Sequence, residues 1–86
     1  MTEKTVTIQL EKGLEARPVA MLVQKASMYE STIYLHSEGK RVNAKSIMGM
    51  MSLGLNMGEE VKVEADGPDE GQAVEKLELY LSGQEA

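Results

Sequence analysis

Eighty-six residues allow one domain around one thin core, since a chain this short buries only about 60–65% of its unfolded surface. The absence of cysteine excludes disulfides, thiolate metal sites and cysteine nucleophiles, and a formal net charge of -5 argues against nucleic acid as a direct ligand. No apolar run reaches the ~18–20 residues of a membrane span, and Met1-Thr2-Glu3-Lys4 does not read as a signal peptide, so the cytoplasm is the expected location.

Val6, Ile8 and Leu10 alternate with Thr5, Thr7 and Gln9, the period-two pattern of a strand with one buried face. Glu11-Lys12-Gly13 closes it. Pro18 suits the first turn of a helix, where a missing N–H costs nothing. Val19, Leu22, Val23 and Ala26 follow at i, i+3, i+4 and i+7, so an amphipathic helix is expected to about Met28. Ile33 and Leu35 alternate with Thr32, Tyr34 and His36 in a second strand. Ser37-Glu38-Gly39-Lys40 then reads as a turn into a short partner strand at Arg41-Val42-Asn43, which makes a hairpin.

Ser46 stands directly before the apolar run Ile47-Met48-Gly49-Met50-Met51, the usual arrangement of a helix N-cap. This helix is expected to end near Gly54. On a wheel of ~100° per residue, Met50 and Leu53 share one direction and Ile47, Met48 and Met51 the other. One side can cover a core; the other is left as an exposed patch, which suggests a partner. Val61, Val63 and Ala65 alternate with Glu60, Lys62 and Glu64 in a further strand. Gly67-Pro68 breaks the chain, Asp69 with Gln72 resembles a capping box, and Ala73, Val74, Leu77 and Leu81 face inward on a last helix. Residues 82–86 are expected to fray. The order β-α-β-β-α-β-α, with one apolar face per strand, predicts a two-layer α+β sandwich with a mainly antiparallel sheet in a single domain spanning 1–86.

Charge is unevenly spread: residues 1–58 carry seven Lys/Arg and five Asp/Glu, whereas residues 59–86 carry two and nine. Arg17, Lys40, Arg41 and Lys45 are either ordinary solvated charge or a local cationic surface for a phosphate or an acidic partner. Ser46 serves as a plain cap or as a phosphorylation site, where new negative charge would meet a helix N-terminus and Lys45. Glu15 suits a helix N-terminal edge, and no second tuned group is legible for acid–base catalysis. His36, the only histidine, is expected to be an exposed strand residue facing away from Ile33 and Leu35. No metal site, cofactor site or Ser/His/Asp set is indicated.

Two segments carry a family resemblance. Gly13-Leu14-Glu15-Ala16-Arg17-Pro18 is similar to the Gly-Leu-His-Ala-Arg-Pro signature of HPr, the phosphocarrier of the bacterial sugar phosphotransferase system. Asn43-Ala44-Lys45-Ser46-Ile47-Met48-Gly49 through Met51-Ser52-Leu53-Gly54 resembles the regulatory-serine segment of Gram-positive HPr. The resemblance implies an HPr-like open-faced β-sandwich, a four-stranded antiparallel sheet in the order 1-4-2-3 covered on one face by three helices. It further implies phosphorylation of Ser46 by HPr kinase/phosphorylase and a corepressor role with the transcription regulator catabolite control protein A. In that reading Ile47, Met48 and Met51 form the docking patch, Lys45 lies beside it and Arg17 borders it. The family's phosphohistidine position is Glu15 here, so ordinary phosphohistidine transfer is not expected. The Crh (catabolite-repression HPr-like) branch also lacks this histidine and keeps the serine, usually with glutamine as the replacement. A non-enzymatic regulatory phosphoprotein is therefore the leading expectation. A phosphorylation-independent adaptor and an acyl-phosphate carrier using Glu15 are the alternatives.

Overall fold

Four alternating segments pair into one sheet because each has a single apolar face to hide, and the amphipathic helices supply the cover. In the computed structural model, which describes residues 1–10 and 16–84, the elements are β1 (Thr2–Thr7), α1 (Ala16–Ser27), β2 (Thr32–Ser37), β3 (Lys40–Asn43), α2 (Ile47–Met51), β4 (Glu60–Asp66) and α3 (Glu70–Leu81). The sheet runs β1-β4-β2-β3, and all three pairings are antiparallel. Val63 of β4 lies opposite both Lys4 and Leu35, so β4 is held on both edges. Ile33, Leu35, Val61, Val63 and Ala65 meet Leu22, Met50 and Leu77 in one buried cluster. Glu38 and Gly39 both take positive φ, 48° and 80°, as a two-residue hairpin turn between twisted strands demands.

The strand at the N-terminus is displaced from the expected one. Its ladder covers residues 2–7, although Val6 and Ile8 are its buried apolar residues. The N-terminal half has polar inward residues, which give no alternation signal, and α3 supplies their partners. Thr2 Oγ1 donates to Glu70, and Lys4 pairs with Glu78 at 2.9 Å. Ile8 has left the ladder but still donates its N–H to the Glu59 carbonyl, and Gln9 donates to Leu81.

The other end of the chain is also better ordered than expected. Ser82, Gly83 and Gln84 donate N–H groups to the carbonyls of Glu78, Tyr80 and Leu79, a closing turn made possible by Gly83 at φ 75°. The expected fraying at residues 85–86 lies outside the described residues.

Asp69 does not cap its own helix. Its carboxylate instead accepts from the N–H of Glu30, the N–H of Ser31 and the Ser31 hydroxyl, tying the start of α3 to the approach to β2. The hydroxyl of Ser31 first, then the backbone of Glu30, holds the Asp69 carboxyl below its ordinary value. Glu70 accepts from the Met1 ammonium, Thr2 and the Gly67 N–H, and in that order these partners hold its carboxyl down at about 2.

Both groups therefore bind protons less readily folded than unfolded. The Glu70 contribution is complete above its ordinary value of 4.5 and is lost as pH falls toward about 2, and the Asp69 contribution is complete above 3.8 and is lost as pH falls through its lowered value. Thermal melts followed by circular dichroism should show the midpoint dropping through this window. Glu70→Gln should flatten the drop; an unchanged slope would remove Glu70 from the account.

Candidate functional site: the Ser46 turn and its methionine face

The chain enters α2 through a tightly specified turn. Ala44, fully buried, donates its N–H to the Ile33 carbonyl at 2.9 Å and so extends the sheet's grip by one residue. Asn43 then folds its side chain back: Oδ1 accepts from the Lys45 N–H at 2.8 Å, while its carbonyl accepts from the Ser46 N–H at 3.1 Å. This is the local side-chain-to-backbone closure that asparagine favours in turns. Lys45 reaches across to the turn that follows α1, donating from Nζ to the Tyr29 carbonyl at 2.7 Å.

Ser46 is the N-cap. It has extended backbone, φ -114° and ψ 116°, and its Oγ accepts from the Gly49 N–H at 3.2 Å. The Met50 N–H to Ser46 carbonyl bond at 3.0 Å closes the first helical turn. The N–H groups of Ile47 and Met48 therefore precede the intrahelical bonds and face the same end as the hydroxyl. A Cβ on Gly49 would lie 3.4 Å from Ser46 Oγ. Glycine there donates to the hydroxyl without adding a side chain against it, a role that no periodicity argument could detect.

Helix α2 is shorter than the sequence suggests, ending at Met51 with Ser52 as C-cap. The Ser52 hydroxyl donates to the Gly49 carbonyl at 2.6 Å, and Leu53 donates to Met50. Serine competes for helix carbonyls in this way, and the turn unwinds before Gly54, which takes φ 59°.

Five residues suffice to separate the two faces. Met50 is fully buried and Leu53 packs against the core, whereas Ile47, Met48 and Met51 are exposed, Met48 at 86%. The result is an apolar surface beside a capped hydroxyl, with Met50 anchoring the helix beneath it.

The basic residues are dispersed. Arg41 sits on the opposite, helix-free face of the sheet, where its guanidinium lies 4.0 Å from the Tyr34 ring centroid. It is paired in register with His36. The Lys45 ammonium is committed to Tyr29, with two further donors in hand. Arg17 is exposed at the start of α1, which packs on α2. A single cationic surface uniting Arg17, Lys40, Arg41 and Lys45 is not what the fold builds. Glu15 lies outside the described residues.

His36 faces away from Ile33 and Leu35 as expected, but it is not simply exposed. Its side chain is 26% accessible, and Nε2 lies 2.7 Å from Oε1 of Glu64. Glu64 sits on the central strand β4 between Glu3 and Tyr34, and these neighbours bury it although it belongs to the open face. His36 thus ties β2 to β4. Among the described residues no three His, Asp or Glu side chains are gathered so as to hold a metal ion, and no helix is long and apolar enough to cross a membrane. A shallow depression between β1 and α3, lined by Thr2, Lys4, Gly71, Val74, Glu75 and Glu78, includes no residue of the Ser46 segment.

Comparison with known proteins agrees with this architecture. The family model for the PTS HPr component phosphorylation site matches residues 2–82. The HPr-like protein Crh of Bacillus subtilis (strain 168) is 48% identical over 81 residues, 94% of this chain and 95% of that protein. The HPr-like protein Crh of Halalkalibacterium halodurans is 44% identical over 81 residues, 94% and 96% of the two chains. Among solved structures, the phosphocarrier protein HPr of Bacillus anthracis is similar with a TM-score of 0.91 at 41% identity, covering 93% of this chain and 95% of its own. With the β1-β4-β2-β3 sheet, its three helices and matches of this extent, the chain belongs to the HPr family of the phosphotransferase system and is Crh-like within it.

Proposed function

We propose that this protein is a non-enzymatic regulatory phosphoprotein of bacterial carbon catabolite control, acting in the cytoplasm. In this reading HPr kinase/phosphorylase phosphorylates Ser46, and the phosphorylated form acts as corepressor with catabolite control protein A. The observation that carries the reading is the juxtaposition of the Ser46 hydroxyl with exposed Ile47, Met48 and Met51 on a helix anchored by buried Met50. Phosphate there adds a charge of about -2 next to the first-turn N–H groups, where negative charge is tolerated. The surface changes while the core beneath it stays. The regulator would then meet charge and apolar area together, with Lys45 and Arg17 contributing at the edge. Glutamate at position 15 cannot form a phosphohistidine, so no relay of phosphate through that position belongs to this function.

The test uses purified kinase, ATP and the regulator. Mass spectrometry should place one phosphate on Ser46, and only the phosphorylated chain should bind the regulator. Ser46→Ala should stay folded, since losing an N-cap costs about 0.5–2 kcal/mol against a typical total of about 5–15 kcal/mol, yet it should bind no better than untreated protein. An unmodified Ser46 would sink the proposal. Equal binding by Ser46→Ala and kinase-treated wild type would point instead to an adaptor that works without phosphorylation. A hydroxylamine-labile label on Glu15, after incubation with Enzyme I and phosphoenolpyruvate, would point to an acyl-phosphate carrier.

A further inference from the structure

The sulfur of this chain is all methionine: seven Met and no Cys. Thiol-based redox chemistry is therefore closed to it, and any sulfur-based response to an oxidant must pass through thioethers. Three of those thioethers lie within residues 48–51, and the fold treats them differently. Met50 is fully buried, Met51 is about half exposed, and Met48 is the most exposed large apolar side chain among the described residues. Susceptibility to oxidation follows exposure, so the patch and its anchor should react at very different rates.

We propose that Met48, followed by Met51, is a reversible oxidation site for peroxides, and that its conversion to the sulfoxide turns the docking face off. The thioether sulfur attacks one oxygen of hydrogen peroxide. The O–O bond breaks as the S–O bond forms, and the proton on the transferred oxygen passes to the departing hydroxide, which leaves as water. Sulfur is oxidised by two electrons and the peroxide is reduced by two. A thiol-dependent methionine sulfoxide reductase reverses the change, consuming two thiols and producing one disulfide and water.

The physical consequence follows from what a sulfoxide is: a flexible apolar side chain becomes polar. Seating that dipole in an apolar contact without a hydrogen-bond donor is unfavourable. Leucine at these positions would offer similar apolar area but no such chemistry. Met50 lies out of reach beneath, so the helix keeps its anchor and the modification acts on binding without acting on the fold. The consequence for binding rests on the function proposed above; the order of oxidation does not.

The experiment treats native protein, with and without phosphate on Ser46, with hydrogen peroxide. Modified methionines are mapped by peptide mass spectrometry over time, beside thermal melts, retention on a hydrophobic-interaction column and titration with catabolite control protein A. Of the three methionines in α2, Met48 should oxidise first, Met51 next and Met50 last, while Met1, Met28 and Met57, each more exposed than Met51, react alongside them; the melt should be preserved and apolar retention reduced. Affinity of the phosphorylated form should fall roughly tenfold or more and return after treatment with the reductase. A variant carrying Met28→Leu and Met57→Leu removes two exposed thioethers outside the patch; it should bind like wild type and lose binding to peroxide in the same way. Oxidation of Met50 as fast as Met48, or retention and affinity unchanged with Met48 fully oxidised, would overturn the inference. If the unoxidised phosphorylated chain does not bind the regulator, the proposed function fails. The oxidation order within α2, and column retention of the variant carrying Met28→Leu and Met57→Leu, need no partner and then decide the oxidation site by themselves.

Discussion

Gly67→Ala should be among the most damaging single-methyl changes this protein can receive, lowering its unfolding free energy by about 1–3 kcal/mol, the range for overpacking a closed site. A Cβ at Gly67 would stand 2.7 Å from both Cα and Oγ of Ser31. Ser31 has nowhere to go. It is fully buried, and its N–H and hydroxyl are both held by Asp69, so making room for the methyl breaks the bonds that join α3 to β2. Gly71→Ala is the matched control, because a Cβ there meets nothing within 4 Å. Within a helix that change should stabilise by roughly 0.5–1 kcal/mol. Urea unfolding of the two variants should move the midpoint in opposite directions. A neutral Gly67→Ala would mean that the two segments do not approach this closely.

The second large effect separates neighbours on α2. Met50→Ala removes a fully buried side chain from the core and should cost about 2–5 kcal/mol. Met48→Asp, two residues away, replaces a side chain that is almost entirely in solvent and should leave stability within about 0.5 kcal/mol. Binding should report the reverse. With Ser46 phosphorylated, Met48→Asp should weaken the complex with catabolite control protein A roughly tenfold or more, because an unpaired charge is then driven into the apolar contact. Met50→Ala, measured at a temperature where it remains folded, should bind with a smaller loss. Calorimetric titration together with chemical unfolding of both variants checks the pair. If Met48→Asp binds as well as wild type, the methionine face is not the docking surface.

Much of this molecule follows from local pattern. The alternation in residues 61–65 and the i, i+3, i+4 spacing in α1 and α3 report burial of a repeated face, which depends on neighbours a few residues away. Those elements stand as the sequence predicts, as does the partition of α2 into buried Met50 and exposed Ile47, Met48 and Met51. The Ser46 cap was legible for the same reason: an N-cap bond spans three residues. The sheet order came through family resemblance, not periodicity, and the fold agrees with it.

Other features depend on partners far along the chain. Asp69 reads locally as a cap for its own helix, but the acceptor is taken by Glu30 and Ser31, thirty-eight residues or more away. Polar Thr2 and Lys4 belong to β1 because Glu70 and Glu78 on α3 receive them. His36 is sheltered because antiparallel pairing brings Glu64 beside it, and Gly67 is a close contact where the sequence shows only a break. Amino-acid order by itself determined which faces are buried and where Ser46 sits. Tertiary structure decided which polar groups meet, because side-chain pairing across strands and between layers leaves no period to read.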